Sequence, residues 1–235
     1  MILGILQCGH VPDEVRADEG PYSALYGALV AGHGFALRTF SVVDGDFPDG
    51  PDAADAWLVS GSRHGIYEDH AWIPPLEALL RDIRTSGKPL VGICFGHQII
   101  AQAFGGTVVK WPGGWSVGHK TYRVGGTDLR LNAWHQDQVV TVPQGGTVLG
   151  RSDFCANAVI AYGDRVLTMQ PHPEFPASVI EKLLDFRSPT VPQPLKDAAR
   201  ADLDAPTDAA RVGDWIAAVL KGQPAHAIPF AKVAS

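Results

Sequence analysis

Short apolar runs alternate with amphipathic stretches through the first hundred residues. Residues 2–6, 35–40, 56–59 and 89–93 read as strands, and 22–31 and 73–85 as helices, the second with Pro74 and Pro75 in its first turn. The strands at 56–59 and 89–93 are brief, almost wholly apolar and bounded by turn residues, as strands buried on both faces of a parallel sheet are. Strand–helix alternation of this kind predicts an α/β fold, an open and mostly parallel doubly wound sheet with helices on both faces. Ligands of such sheets bind beyond the carboxyl ends of the strands.

After Gly105-Gly106 the texture changes to strand-like pieces at 107–110, 120–124, 129–131, 139–142 and 147–149, separated by glycines. Residues 159–162 and 165–169 flank Gly163-Asp164, a hairpin pattern. A helix is expected at 177–186. Pro189, Pro192 and Pro194 then mark a boundary. Beyond it lie helical segments at 195–203 and 208–220, the latter with Val212, Ile216, Val219 and Leu220 on one face. The expected organisation is a domain over 1–187 and a proline-containing linker with a docked helical extension over 188–235.

The 235 residues, 46% of them hydrophobic and 19% charged, suffice for a full core and exclude a disordered chain. A formal charge of −6 without a basic cluster argues against a nucleic-acid or anionic-membrane surface. No apolar run approaches the roughly 18 residues of a membrane span. The N-terminus lacks the basic n-region of a secretory signal and reads as a strand. Cys8, Cys94 and Cys155 form no CxxC pair, which disfavours a disulfide framework or zinc ribbon and fits a reducing cytoplasm. GxGxxG, Walker A and HExxH patterns do not occur.

The most informative stretch is Gly92-Ile-Cys94-Phe-Gly96-His-Gln98. It predicts strand, sharp turn and helix, with Cys94 at the turn and a glycine two residues to either side, where the backbone comes too close for a Cβ. That is the logic of a hydrolase nucleophile elbow with thiol in place of hydroxyl. The unpaired N–H groups and positive dipole end of the helix favour a thiolate there. The bland alternative is a small core cysteine among packing glycines. A thiolate needs a base and the base an orienting group. His172 lies in Gln170-Pro-His-Pro-Glu-Phe175 just after an apolar strand, and in extended backbone Glu174 lies on the same side as His172. Pro171 and Pro173 keep the segment extended, which places it in a strand-end loop.

Gly-Ile-Cys-Phe-Gly-His-Gln, followed about eighty residues later by His-Pro-Glu, resembles the signature of class I, triad-type glutamine amidotransferases over roughly residues 1–187. The resemblance implies a flavodoxin-like sheet with extra strands, Cys94 as nucleophile, His172 as general base and then acid, and Glu174 as orienter. It implies Gln98 as a binder of the γ-glutamyl group and the Phe95 N–H as one oxyanion donor. The second donor of the family comes from a Gly-Gly-Pro-like loop after the third strand. Here that loop reads Ser60-Gly-Ser-Arg63, so Gly61 or Ser62 takes the role. The implied reaction hydrolyses the γ-amide of glutamine or a γ-glutamyl compound through a γ-glutamyl thioester, without metal or organic cofactor.

The start of the chain, Ser60–His64 and Trp134–Val139 resemble stand-alone members, some of which are γ-glutamyl peptidases. His135 and Gln136 match a loop lining the γ-glutamyl pocket, and Arg63 could meet a substrate carboxylate. The elbow also resembles that of GMP synthetase, but 235 residues leave no room for its synthetase half. Three readings follow: a glutaminase passing ammonia to a separate synthetase subunit, an independent γ-glutamyl peptidase, and a binding or regulatory protein that has lost catalysis. Cys8 ends the first strand and reads as a packing residue, as does Cys155. Trp111, Trp115 and Trp134 read as packing residues; Asp13, Glu14 and Tyr22, where the first strand gives way to its helix, read as a solvated loop, the alternative being that they hold the acceptor or the substrate amine.

Overall fold

The computed structural model describes residues 1–230. Five strands form the parallel part of its main sheet: β1 (Ile2–Leu6), β2 (Ala36–Phe40), β3 (Ala56–Val59), β4 (Leu90–Ile93) and β11 (Val166–Met169). They lie in the order β2-β1-β3-β4-β11, every neighbouring pair parallel. The expected α/β sheet of mostly parallel, flavodoxin-like order is therefore present. The sheet continues antiparallel through β10 (Val159–Tyr162), β9 (Gly146–Arg151), β6 (Ser116–Val124) and β7 (Thr127–His135). The hairpin at Gly163-Asp164 joins β10 to β11, Tyr162 opposite Val166. A small second sheet pairs β5 (Thr107–Lys110) with β8 (Asp137–Thr141).

Alternate strand residues feed opposite faces, as a pleated strand requires. Ala56, Leu58, Val91, Ile93, Leu167 and Met169 join one core cluster. That face is covered by α2 (Tyr22–Leu29), α5 (Ala177–Phe186) and α7 (Ala209–Leu220). Trp57, Val59, Leu90 and Val166 join the other cluster, beneath α3 (Ile73–Ser86) and α4 (Phe95–Ala103). In α7, Val212, Ile216, Val219 and Leu220 are buried with Trp215 against β4, β11 and α2. Helix α6 (Gln193–Ala201) packs on β6, where Gly118 adopts φ 74°. A Cβ there would sit 2.6 Å from that of Ala199. No helix among the described residues is long and apolar enough to cross a membrane.

Two local expectations need correction. Asp13 and Glu14 belong to a short helix, α1 (Asp13–Glu19), closed by Gly20, not to a loop. Seven residues with Val15 as the one buried side chain carry too little apolar periodicity to reveal a helix. Strands β6 and β7 run nine residues each, far beyond the pieces at 120–124 and 129–131. Their added residues mix polar positions and glycine with Val117, Ala133 and Trp134, and the cross-strand ladder runs unbroken from Ser116–His135 to Val124–Thr127. The last five residues of the expected 188–235 extension lie outside the described residues.

His97, within α4, is fully buried, and its Nδ1 lies 2.8 Å from Thr168 Oγ1 of β11. Burial, with a contribution from His135, pushes its pKa down to about 3. The unfolded chain binds this proton near pH 6.5, so His97 draws full stability above that value and loses it as pH falls toward 3. Urea unfolding from pH 7 to 4 should therefore show falling stability. His97→Gln should flatten the slope by about 1.4 kcal/mol per pH unit in mid-window, even if it lowers stability at pH 7.

Candidate active site

Cys94 closes β4 and precedes α4 with φ 54° and ψ −105°, the one positive φ outside glycine among the described residues. A β-carbon at Gly92 would lie 2.6 Å from the Gly96 carbonyl oxygen, and one at Gly96 would lie 2.3 Å from the Val59 carbonyl oxygen. Both glycines are thus required by close backbone approach. Turn and glycines together project Cys94 at the carboxyl edge of the sheet. Cys94 is buried but lines a cavity of about 720 Å³, as do Gln98, His172 and Ser62. Phe95 is the first residue of α4, a position whose N–H has no partner within a helix.

The other side of the site hangs from β11. His172 accepts an isolated bridge with β7, its N–H donating to the Asn132 carbonyl at 2.8 Å. The Asn132 side chain donates to the Phe175 carbonyl at 2.8 Å, and the Phe175 ring stacks on the His172 imidazole at 4.0 Å and 5°. His172 Nδ1 lies 2.7 Å from Glu174 Oε1, both side chains buried. Nε2 makes no hydrogen bond among the described residues, and Cys94 lies close enough to act on the ring. Burial alone would lower the His172 pKa. The nearby Cys94, as thiolate, and the Glu174 carboxylate outweigh it and raise the pKa.

Glu174 has a second buried partner absent from the sequence-based expectations. Tyr26 of α2 donates to Glu174 Oε1 at 3.2 Å, and its oxygen accepts the Gly61 N–H at 2.9 Å. The Gly61 N–H is therefore engaged. A Cβ on Gly61 would lie 3.4 Å from His172 Cε1, so this loop abuts the imidazole. Ser60 fixes the loop from below, its Oγ accepting the Cys8 N–H at 2.9 Å and donating to the Gly61 carbonyl at 2.8 Å.

Gln98 donates through Nε2 to the Asp137 carbonyl at 3.1 Å and to Gln170 Oε1 at 3.0 Å. His135 lies 3.2 Å through Nδ1 from the same Asp137 carbonyl, while its buried Nε2 has no partner among the described residues. Burial holds its pKa down at about 3, so the ring is neutral. With Nδ1–H donating, Nε2 is an acceptor. Gln136 makes a long 3.4 Å contact to the Trp111 carbonyl; it and Arg63 line the cavity. Trp115 and Trp134 pack together at 6.2 Å but also face the cavity. Cys8 and Cys155 are free and buried; burial pushes the Cys8 thiol well up and the Cys155 thiol up to about 12.

A left-handed cysteine between glycines, facing a buried His–Glu pair at the carboxyl edge of a parallel sheet, defines a class of α/β proteins, and comparison with known chains gives its name. The family model for glutamine amidotransferase class-I matches residues 52–186, and the chain belongs to that family. Gamma-glutamyl peptidase 3 of Arabidopsis thaliana is 28% identical over 188 residues, 73% of this chain and 76% of the relative. A glutamine-hydrolysing GMP synthase of Thermobifida fusca is 35% identical over 130 residues, 51% of this chain and 23% of that one. The fold matches a crystal structure of a glutamine amidotransferase from Methylobacillus flagellatus (TM-score 0.71, 20% identity, 100% of this chain and 96% of the other).

Tyr26→Phe should strand the buried Gly61 N–H and remove one Glu174 partner. The expected loss is about 1–3 kcal/mol in urea unfolding. Gly96→Ala should be worse, because its Cβ meets backbone that cannot turn away. Soluble, cooperatively unfolding Gly96→Ala protein of unchanged stability would contradict the packing described for the elbow.

Proposed function

We propose that the protein hydrolyses γ-glutamyl amides by acyl transfer to Cys94. The observation that carries this reading is the strained turn at Cys94 set in one cavity wall with His172, whose ring is paired with the buried Glu174. The Cys94 thiolate attacks the γ-carbonyl. The oxyanion is met by the Phe95 N–H and by the Ser62 N–H, since that of Gly61 is engaged with Tyr26. His172, held in its tautomer by Glu174, protonates the leaving ammonia or amine and then takes a proton from the water that releases glutamate. Neutral His135 offers Nε2 as an acceptor for the substrate α-ammonium, and Gln98, its Nε2 tied back, offers Oε1. Gln136 borders the same pocket.

The size of the cavity and its cations favour an independent γ-glutamyl peptidase over a glutaminase subunit that feeds a separate synthetase. About 720 Å³ far exceeds what glutamine fills, and Arg63, Lys110 and Arg187 stand in its lining, which also carries Asp13, Asp44, Glu68 and Asp137. A γ-glutamyl peptide carries a carboxylate beyond the scissile bond that such cations can meet; glutamine has only ammonia there. Relatives named gamma-glutamyl peptidases, matched over about three quarters of both chains, agree with this choice.

Glutamate release by the purified chain tests the mechanism. Cys94→Ala and His172→Ala should abolish it, whereas Glu174→Gln should retain activity about ten- to a hundredfold above them, because the base remains. Cys8→Ala and Cys155→Ala should keep most of it. Unimpaired turnover in His172→Ala would falsify the triad, and no turnover of any γ-glutamyl compound by the intact chain would favour the binding-protein reading.

For the substrate, the isolated chain should cleave a γ-glutamyl dipeptide or a glutathione-like tripeptide faster than free glutamine. Arg63→Ala should raise KM for the peptide several-fold more than for glutamine. A chain inert toward both until a synthetase is added would instead mark an amidotransferase subunit.

A further inference from the structure

The segment between Ser62 and α3 gathers three side chains that the proposed reaction does not use. Glu68 Oε2 lies 3.3 Å from His64 Nδ1 and 2.7 Å from His70 Nε2, and the three atoms all lie within 4.8 Å of one another. The backbone holds this arrangement. His64 N–H donates to Ser62 Oγ at 3.1 Å, Glu68 N–H to the Gly65 carbonyl at 3.1 Å, and Ile73 N–H to the His70 carbonyl at 3.0 Å. The two imidazoles meet edge-on at 4.3 Å, and the Trp72 indole stacks on His70 at 5.8 Å. Side-chain exposures of 19%, 44% and 32% leave the cluster open to solvent without placing it in the core.

Both imidazoles address the same carboxylate oxygen. Metal–ligand bonds of about 2.0–2.1 Å in a tetrahedral site place neighbouring ligand atoms roughly 3.4 Å apart. The His64–Glu68 spacing already matches that value, the His70–Glu68 spacing needs to open by less than about 1 Å, and the His64–His70 spacing, within 4.8 Å, needs to close by no more than about 1.4 Å. Two imidazoles and a carboxylate form a donor set of intermediate hardness that suits Zn²⁺ over Mg²⁺ or Ca²⁺.

We propose that His64, Glu68 and His70 bind one divalent transition ion, Zn²⁺ in preference, with its fourth position open to water at the rim of the cavity. His64 and Glu68 both line that cavity. The ion would clamp the segment from Ser62 to Trp72, whose indole packs on Phe95 at 5.6 Å, and so stiffen the wall on which the two proposed oxyanion donors stand. The site stands on its own geometry, whatever reaction the cavity performs.

The test uses the full chain with Cys94→Ser, which removes the competing thiolate ligand in the cavity. Calorimetric titration with Zn²⁺ should find one ion per chain. His70→Ala and Glu68→Gln should each weaken binding about tenfold or more. Zn²⁺ should raise the Tm of the Cys94→Ser protein but not that of the same protein carrying His64→Ala, Glu68→Gln and His70→Ala. Co²⁺ should give intense tetrahedral visible bands without sulfur-to-cobalt charge transfer. The proposal is overturned if the four-site variant binds Zn²⁺ as tightly as Cys94→Ser alone, or if Cys94→Ser shows no saturable binding. Should the four-site variant not fold, the Co²⁺ spectrum of Cys94→Ser decides: weak octahedral bands, or none, refute the site.

Discussion

The contact of Gly96 with the Val59 carbonyl is the constraint on which the site is built. Two neighbouring parallel strands and the helix leaving one of them meet there at backbone distance, with no room for a methyl group. Only with that approach can the chain turn from β4 into α4 at Cys94, in a conformation that costs an ordinary side chain of order 1–3 kcal/mol. Burial of Ile99 and Ile100 beneath the sheet, beside Leu76 and Leu80 of α3, holds the strained turn in place. The thiol therefore occupies a fixed position relative to the Gly61–Ser62 loop that follows the adjacent strand.

The imidazole side is held by a different device. Prolines on both sides leave His172 little regular structure, so its orientation comes from two close neighbours in the chain and one distant strand residue. Asn132 takes its N–H, Phe175 covers its ring and Glu174 takes Nδ1. Tyr26 then joins Glu174 to Gly61, so one buried hydroxyl couples the carboxylate that orients the ring to the loop beside it. A buried network of this kind is costly to leave half-satisfied, which makes each member sensitive to loss of the next.

Much of this was legible in the sequence, and the misses share a cause. Strands such as Ala56–Val59 and helix Ala177–Phe186 announce themselves because burial on one or both faces writes a dense apolar pattern. The elbow was legible because glycine spacing records backbone contact directly. Tyr26 was not: a tyrosine four residues from another on a helix reads as core, and nothing local shows where its hydroxyl points. Asn132 and Phe175 are equally silent, because their contribution is a cross-strand bridge and a ring stack. The length of β6 and β7 escaped because Gly118 and scattered polar residues interrupt the apolar pattern around Val117 and Ala133, while the ladder pairs them all alike. Trp115 and Trp134, read as packing residues, do pack, yet they also form cavity wall, a double use that composition cannot express.

The bridge between Asn132 and His172 bears on the chain as it is synthesised. The close backbone contacts that force the thiol turn, Gly92 with Gly96 and Gly96 with Val59, lie before residue 105, although the Cys94 N–H donates to the Met169 carbonyl of β11 at 2.8 Å. The strand that clamps the imidazole and the strand that delivers it both come later. A chain growing from its N-terminus therefore carries the cysteine for tens of residues before His172 is made. During that interval the sulfur lacks the ring that the assembled site places beside it. The site is thus divided between two parts of the chain, and the pair can form only once β7 and β11 have both been made.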